Sequence, residues 1–407
     1  MKVSRAGGAL GLAVLLLGGP ALADGGRARR ISVDVDPRIE LAGVMQALSP
    51  ASEDPKGFLR SGIGYSRALE RLSAAGLPFE TPLKDFDFGD RCQVLLRLSS
   101  VPALGDRLLM PYAFPVRAGG PDRFEGWLRS LRSFASKTDF LARLASARGE
   151  LEPSVAAFRS KLEERDYVGR IEAYTGLPLM GTYSIFLSPY VGGGDNANLV
   201  EALEDGTVES SSVFGPQVTP DGNSGFWSLR TPGTLWHEAG HAIEDPLGDI
   251  FADRIAASSS AYQASWGCYG DWRQCVKEQV VRAVMIRLIA AEFGGAAAAE
   301  QLAFENEKRF PQLKAMVESL KTYERSRERY PTLADYYPRL LDVLPGAGAS
   351  PTAISGLAGR FDCGPLSIRN RMKLYYEQLG SRAKDADLLA AVRSAQAAPA
   401  ASPGRCR

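Results

Sequence analysis

Histidine is scarce in this chain of 407 residues, which contains only two. Both lie in the stretch "WHEAGHAIEDP", as His237 and His241. A metzincin zinc site needs a third histidine at position 247 and a glycine turn at position 244, where this chain has Leu247 and Glu244. The sequence therefore excludes that class, and any metal site here must take a third ligand of another kind.

An excess of charge of either sign is also lacking. The chain has 48 lysines and arginines against 47 aspartates and glutamates, and a formal net charge of +1. Nucleic acids and anionic membranes are bound through a strongly basic face, which this balance does not favour. We therefore expect no nucleic-acid partner.

Cysteine is present five times, but no two cysteines form a C-x-x-C pair. This absence excludes thiol-redox and zinc-ribbon sites of that type. Cys268 and Cys275 could close a small loop, and Cys363 could reach Cys406. Because the number is odd, at least one thiol stays unpaired, and the connectivity cannot be read from the sequence.

Long apolar runs are limited to the N-terminus, where the pattern is that of a signal peptide. Lys2 and Arg5 precede an apolar stretch at residues 9–19, and "ALA" at 21–23 supplies a cleavage site. The run is short for a membrane span. The residue directly after the cut is Asp24 and not a cysteine, so a lipid-anchored form is not expected. We expect an exported protein, periplasmic or secreted, that starts at Asp24 and has no stable membrane insertion after cleavage.

The rest of the chain predicts an α+β fold that is mostly helical. Strand-like alternation occurs at residues 31–35 and 182–188, and "TVESSSVFG" and "GFWSLR" read as two further strands. Helices are predicted from Pro37, with Asp36 as the N-cap, at 66–76, through most of 121–174, and from Thr231 to about Leu344. The expected architecture is a small mixed sheet beside two helices that carry the site.

This organisation divides the chain into five segments. Residues 1–23 are the signal peptide, and 24–175 form a mainly helical region that contains the first strand. The catalytic region covers 176–345, followed by a C-terminal segment at 346–388 and a low-complexity tail at 389–407.

The histidine pair lies on a predicted helix. Thr231 and Pro232 are a strong helix start, and Pro246 and Gly248 predict that the helix ends near Asp245. His237 and His241 are four residues apart, so their rings lie on one face and can share a metal ion. Gly240 leaves room for another element to pack closely. The pattern predicts a zinc site in which Glu238 acts as general base toward a metal-activated water.

The third ligand is predicted on a later helix, residues 273–295. Glu278 shares the apolar face of that helix, where a carboxylate is costly to bury unless it is paired or binds a metal. Arg282, four residues on, is close enough to orient it, and an ordinary surface pair of the two is the alternative. Asp249 and Asp253 are other possible ligands, although we favour them as acceptors for the histidine ring N–H groups.

These motifs resemble those of the gluzincin zinc peptidases, in which a glutamate on a following helix completes an H-E-x-x-H site. More narrowly, "WHEAGHAIEDPL" and "CVKEQVVRAVMIRL" are similar to an uncharacterised bacterial family of exported metallopeptidases. The resemblance implies His237, His241 and Glu278 as zinc ligands and Glu238 as base. The chain has "KEQVVRA" in place of the Asn-Glu-x-x-Ala-Asp signature of better-known gluzincins.

The expected function is therefore zinc-dependent hydrolysis of peptide bonds in a peptide or protein substrate. The resemblance also implies a strand edge along the cleft, for which "GFWSLR" is the candidate. Four tyrosines are conceivable oxyanion donors, and the sequence does not choose among them: Tyr262, Tyr269, Tyr336 and Tyr337. A non-catalytic binding protein on this scaffold and a zinc hydrolase of a non-peptide amide are the alternatives.

Overall fold

The computed structural model describes residues 30–48, 86, 88–108, 110, 113–179, 181–191, 197–202, 208–218, 224–263, 271–307 and 310–345. The predictions for the signal peptide, the helix at 66–76 and the segments after residue 345 lie outside these residues. Over the described part the fold is α+β and mostly helical, as the sequence predicts.

A four-stranded mixed sheet has the strand order β1-β2-β4-β3. Strands β1 (Arg30–Asp34), β2 (Thr182–Leu187) and β4 (Val208–Phe214) run parallel, while β3 (Ala197–Ala202) lies antiparallel to β4 at the edge. Strand β1 comes from the predicted N-terminal region and β2 from the predicted catalytic region. The two regions therefore share one sheet.

The described residues form twelve α-helices, numbered α1 to α12 in chain order. Their bounds are α1 Pro37–Leu48, α2 Phe88–Leu96, α3 Ala113–Arg117, α4 Pro121–Lys137, α5 Phe140–Glu164, α6 Tyr167–Thr175, α7 Thr231–Ile250, α8 Ala252–Ala257, α9 Trp272–Phe293, α10 Gly295–Glu307, α11 Leu313–Arg325 and α12 Leu333–Leu340. Two short 3₁₀ turns, Ser259–Ala261 and Leu341–Val343, follow α8 and α12.

The ends of the predicted helices follow from local capping. The carboxylate of Asp36 accepts a hydrogen bond from the Arg38 amide at 2.8 Å, and Pro37 is the first residue of α1, as predicted. Asp271 caps α9 by accepting from the Gln274 amide at 2.9 Å. Gly294 ends α9 with a positive φ of 90°, which favours glycine.

Helix α7 is longer than the sequence predicts. It begins at Thr231 as expected but continues to Ile250, with Pro246 inside it. A proline in a helix interior costs about 3 kcal/mol. Burying Leu247 and Phe251, the latter stacked on Tyr337 at 5.2 Å, returns about 1.5–3 kcal/mol for each side chain. Tertiary packing therefore outweighs the local stop signal.

The predicted strand "GFWSLR" is wrong. Of its six residues only Gly225 lies in a strand, the two-residue β6 (Ser224–Gly225), which pairs with β5 (Gln217–Val218). The ring of Trp227 packs instead against Phe158 at 5.0 Å, and the Ser228 amide donates to Thr231 Oγ1 at 2.8 Å as the chain turns into α7. This segment therefore does not supply the strand edge that was expected along the cleft.

One hydrophobic core joins the sheet to the helices around α7. Tyr183, Ile185 and Leu187 alternate on the buried face of β2. Phe158 of α5 meets Phe214 of β4 with ring centroids 5.7 Å apart. Among the described helices, none combines the length and the apolar character that crossing a membrane would require.

Candidate metal centre

Helix α7 presents both histidines on one face. His237 and His241 are one turn apart, and their Nε2 atoms lie 3.3 Å from each other. The ring planes are almost perpendicular, at 88°, and the short distance between the nitrogens places both beside one common position. The i, i+4 spacing in the sequence thus produces two convergent nitrogen donors.

Three glycines allow α9 to pack closely against α7 beside these histidines. A methyl group added at each would come within 3.3 Å of an α9 side chain, whereas ordinary carbon contacts are about 3.5–4.0 Å. We call this set the glycine seam: Gly233 against Ile289, Gly240 against Val281, and Gly248 against Lys277. Because the α9 numbers fall as the α7 numbers rise, the two helices run antiparallel. The space that the sequence predicts beside Gly240 is filled by Val281.

The close approach of α9 brings Glu278 to the histidines. Its Oε2 lies 3.6 Å from Nε2 of His237, and its Oε1 lies 3.6 Å from Nε2 of His241. All three side chains are nearly buried, with 10–13% of each exposed. The structure thus brings together the three residues that the sequence singled out as metal ligands.

The distances between these donor atoms suit a zinc ion. Nitrogen and oxygen ligands about 2.0–2.2 Å from a tetrahedral zinc are about 3.3–3.6 Å from each other. The two nitrogens are 3.3 Å apart, and each oxygen of Glu278 lies 3.6 Å from a different one of them. With one donor atom from each residue, all three lie within 4.8 Å of one another. Two imidazoles and one carboxylate are also a donor set found in catalytic zinc sites, where the fourth position stays open. The residues present fit the ion by both geometry and chemistry.

A carboxylate contacts the far side of the His241 ring. Asp245 Oδ1 lies 3.3 Å from Nδ1 of His241, as in metal sites where an acceptor fixes the ring orientation. The sequence favours Asp249 and Asp253 for this role, and their side chains lie outside the described part of the chain. Burial lowers the pKa of His241, but the charges of Glu278 and Asp245 outweigh burial and raise it to about 10.

Glu278 is held by its own neighbours on α9. Arg282 Nη2 donates to Glu278 Oε2 at 3.1 Å, and Gln274 Nε2 donates to Oε1 at 3.4 Å. The Glu278–Arg282 pair is buried, with 7% of each residue exposed, so the alternative of an ordinary surface pair is wrong. The pair is buried because Glu278 faces the histidines of α7 and Arg282 contacts Glu305 of α10.

Glu238 is 5% exposed and lies next to the ligands on α7. Burial raises the pKa of its carboxyl to about 7, with Glu278 adding to the rise while His241 and Arg282 oppose it. Glu238 in turn adds to the effect of burial in raising the pKa of Tyr183, whose hydroxyl lies 2.8 Å from Ser212 Oγ. A carboxyl with such a pKa can accept or release a proton near neutral pH.

The tyrosines considered from the sequence have other contacts in the described part of the chain. Tyr336 donates to the Ser319 carbonyl at 2.9 Å, and Tyr337 donates to the carboxylate of Glu244. The Tyr262 ring lies against Trp272, and Tyr269 is outside the described residues. Nothing in the sequence indicates Tyr183 as a residue near Glu238, because alternation in β2 predicts a buried side chain but not which helix it faces.

Comparison with known proteins adds a family but no function. The model of the family described as "Domain of unknown function (DUF4932)" matches residues 115–343, which include both histidines, Glu238 and Glu278. No curated protein and no solved structure is significantly similar to this chain. Because the match covers more than half of the chain, the protein belongs to the DUF4932 family.

Proposed function

We propose that this protein is an exported, zinc-dependent metallopeptidase that hydrolyses peptide bonds in peptide or protein substrates. The observation that supports this most directly is the convergence of two imidazole nitrogens and one carboxylate, with separations of 3.3–3.6 Å. The position of Glu238 beside them and the resemblance of the two helices to gluzincin motifs support the same reaction class.

In this proposal, His237, His241 and Glu278 hold the ion. Zinc supplies a Lewis acid that activates water and polarises the carbonyl group of the substrate. The chain itself contributes a rigid cradle, because α7 and α9 are packed against each other along the glycine seam. Asp245 fixes the ring orientation of His241, and Arg282 with Gln274 fixes the carboxylate of Glu278.

Glu238 is the general base of the proposed reaction. Its carboxylate takes a proton from the attacking water and then gives that proton to the leaving amine. Burial suits it to both steps, since a pKa of about 7 lets the same group accept and release a proton near neutral pH. Its backbone position between two ligands keeps it at the site without making it one of them.

The test compares three forms of the protein without residues 1–23: wild type, Glu238→Gln, and His237→Ala with His241→Ala. Elemental analysis should find about one zinc per chain in the first two and none in the third. With a fluorogenic peptide library, Glu238→Gln should lose about 10²–10⁴-fold in hydrolysis rate. Zinc-loaded wild type that cleaves no peptide would favour a binding protein or a hydrolase of another amide. Unchanged hydrolysis by Glu238→Gln would refute the assignment of the base.

A further inference from the structure

Arg282 lies between two buried carboxylates, of which one belongs to the proposed metal centre. Its Nη2 donates to Glu278 Oε2 at 3.1 Å, and its Nη1 donates to Glu305 Oε2 at 2.9 Å. The guanidinium also lies over the ring of Phe310, with Cζ 4.6 Å from the ring centroid. Arg282 thus joins α9 to α10, at a point that no motif in the sequence indicates.

Glu305 is itself fixed in place. It is 2% exposed, and its second oxygen accepts a hydrogen bond from Gln301 Nε2 at 2.8 Å, one turn earlier on α10. Burying a carboxylate, a guanidinium and a second carboxylate in a row is a poor way to gain stability, because desolvation offsets the attraction between the charges. An arrangement of this kind is better explained by what it does to the orientation of Glu278.

We propose that Glu305 is a positioning residue of the metal centre, which acts on Glu278 through Arg282. This inference rests on the zinc site of the proposed function. Arginine is a long side chain with many rotamers, so it can orient a neighbour only if its own far end is held. Glu305 and Phe310 hold that end, and one Nη group is left for Glu278 Oε2.

Because one Nη group of Arg282 binds Glu305 and the other binds Glu278, the guanidinium determines which oxygen lone pairs of Glu278 face the histidines. With Glu305 present, Arg282 donates to Oε2 through a single Nη group. Without the charge of Glu305, the planar fork can turn and pair with both oxygens of Glu278, as arginine does with isolated carboxylates. A bidentate pair would compete with zinc for the same lone pairs, and the affinity for the ion would fall.

The first test is Glu305→Gln in the full mature chain, with zinc affinity measured by chelator competition. The expected result is an affinity about 10–100-fold lower, together with a changed visible spectrum of the cobalt-substituted protein. The matched control is Glu324→Gln, which removes the negative charge that pairs with another arginine on α9, the partly buried Arg287. Arg287 donates to Glu324 through Nε and Nη2, each at 2.7 Å, but lies nine residues from Glu278, about 13 Å along the helix. The control should lower the melting temperature and leave zinc affinity unchanged.

The second test asks whether Glu305 acts through Arg282. Arg282→Met should weaken zinc binding, and adding Glu305→Gln to it should cause no further loss of affinity. If Arg282→Met does not fold, Arg282→Lys replaces it, since lysine keeps the charge but cannot bridge the two carboxylates. Additive losses, or wild-type affinity in Glu305→Gln, would overturn the inference while leaving the zinc site intact. A wild-type chain that binds no zinc would overturn the proposed function as well.

Discussion

Gly240→Ala adds one methyl group between α7 and α9. This variant tests whether the close packing of the two helices is needed for metal binding. A Cβ at this position would lie 3.1 Å from Cγ1 of Val281 and 3.6 Å from Cδ1 of Ile171. The second contact is ordinary, but the first is shorter than the usual 3.5–4.0 Å for two carbons. In Gly240→Ala, we therefore expect helix α9 to move away from α7 by about 0.4 Å, which restores a separation of about 3.5 Å.

The expected effect on zinc follows from that shift. Glu278 is three residues before Val281 on the same helix, so its carboxylate moves with it. The 3.6 Å separations from the histidine nitrogens would grow to about 4 Å, beyond the ~3.6 Å that zinc ligands allow. Functional sites must be held within about 0.5 Å of their working geometry. Because the expected shift comes close to that limit, we expect a loss of about tenfold in zinc affinity. The free energy of unfolding without metal should change little. The higher helix propensity of alanine over glycine, about 1 kcal/mol, offsets the cost of displacing α9.

The assay is chelator competition for zinc, with thermal unfolding in the presence of EDTA as the measure of metal-free stability. Gly149→Ala is the control, since this helical glycine has open space around its added methyl group and lies far along the chain from the site. The compensating variant is Gly240→Ala with Val281→Ala, which removes the contacting methyl groups and should restore zinc affinity. Wild-type affinity in Gly240→Ala, or no recovery in the double variant, would refute the packing argument.

Three further variants test neighbouring parts of the centre. Glu278→Gln should retain the fold but lower zinc affinity by at least about 100-fold, and one tightly held zinc per chain after dialysis against a chelator would exclude Glu278 as a ligand. Asp245→Asn should weaken zinc binding by about tenfold, because an amide is a weaker acceptor for the ring N–H of His241; unchanged affinity would contradict this. Burial raises the pKa of Glu244 well above its usual range, so its charged form destabilises the fold as pH rises above about 4.3. Glu244→Gln in EDTA should therefore melt higher than wild type at pH 8 and equally at pH 4, and a difference independent of pH would disprove this assignment.

Local signals in the sequence predicted the elements whose ends depend on nearby residues. Asp36 and Pro37 set the start of α1, and Gly294 sets the end of α9, because caps act within one turn. The alternation in β2 was also sufficient, since one of its faces is buried throughout. The same type of reasoning placed both histidines on one face of α7.

Predictions were wrong where distant residues decide the local structure. Pro246 would end an isolated helix, but burial of Leu247 and Phe251 extends α7 by more than a turn. Trp227 has the neighbours of a strand residue in sequence, yet its ring is drawn into the aromatic group of Phe158 and Tyr167. The residues that decide these two segments, Tyr337 beside Phe251 and Phe158 beside Trp227, are far away in sequence. Spacing along the chain therefore does not reveal them.

In the candidate site too, local spacing predicts some residues, while others depend on contacts between distant parts of the chain. Glu278 was predictable, because a carboxylate on an apolar helix face needs a partner. Asp245 could have been found too, since it follows His241 by four residues, the spacing of neighbours on a helix surface. Glu305 could not, because nothing in the polar pattern of α10 separates it from Glu300 or Glu307. Its burial and its hydrogen bond from Arg282 distinguish it, and both are visible in the structure but not in the sequence.

The glycine seam connects these observations. Its members are seven and eight residues apart on α7, which is two turns each, so all three face α9. The histidines lie within the same stretch, and Glu278 lies between the α9 residues that meet Gly240 and Gly248. Whatever widens the gap between the helices therefore separates the proposed ligands before it exposes the core. Metal affinity should consequently respond to seam substitutions more steeply than the free energy of unfolding does, and the ratio of the two effects measures how closely packing and chemistry are coupled here.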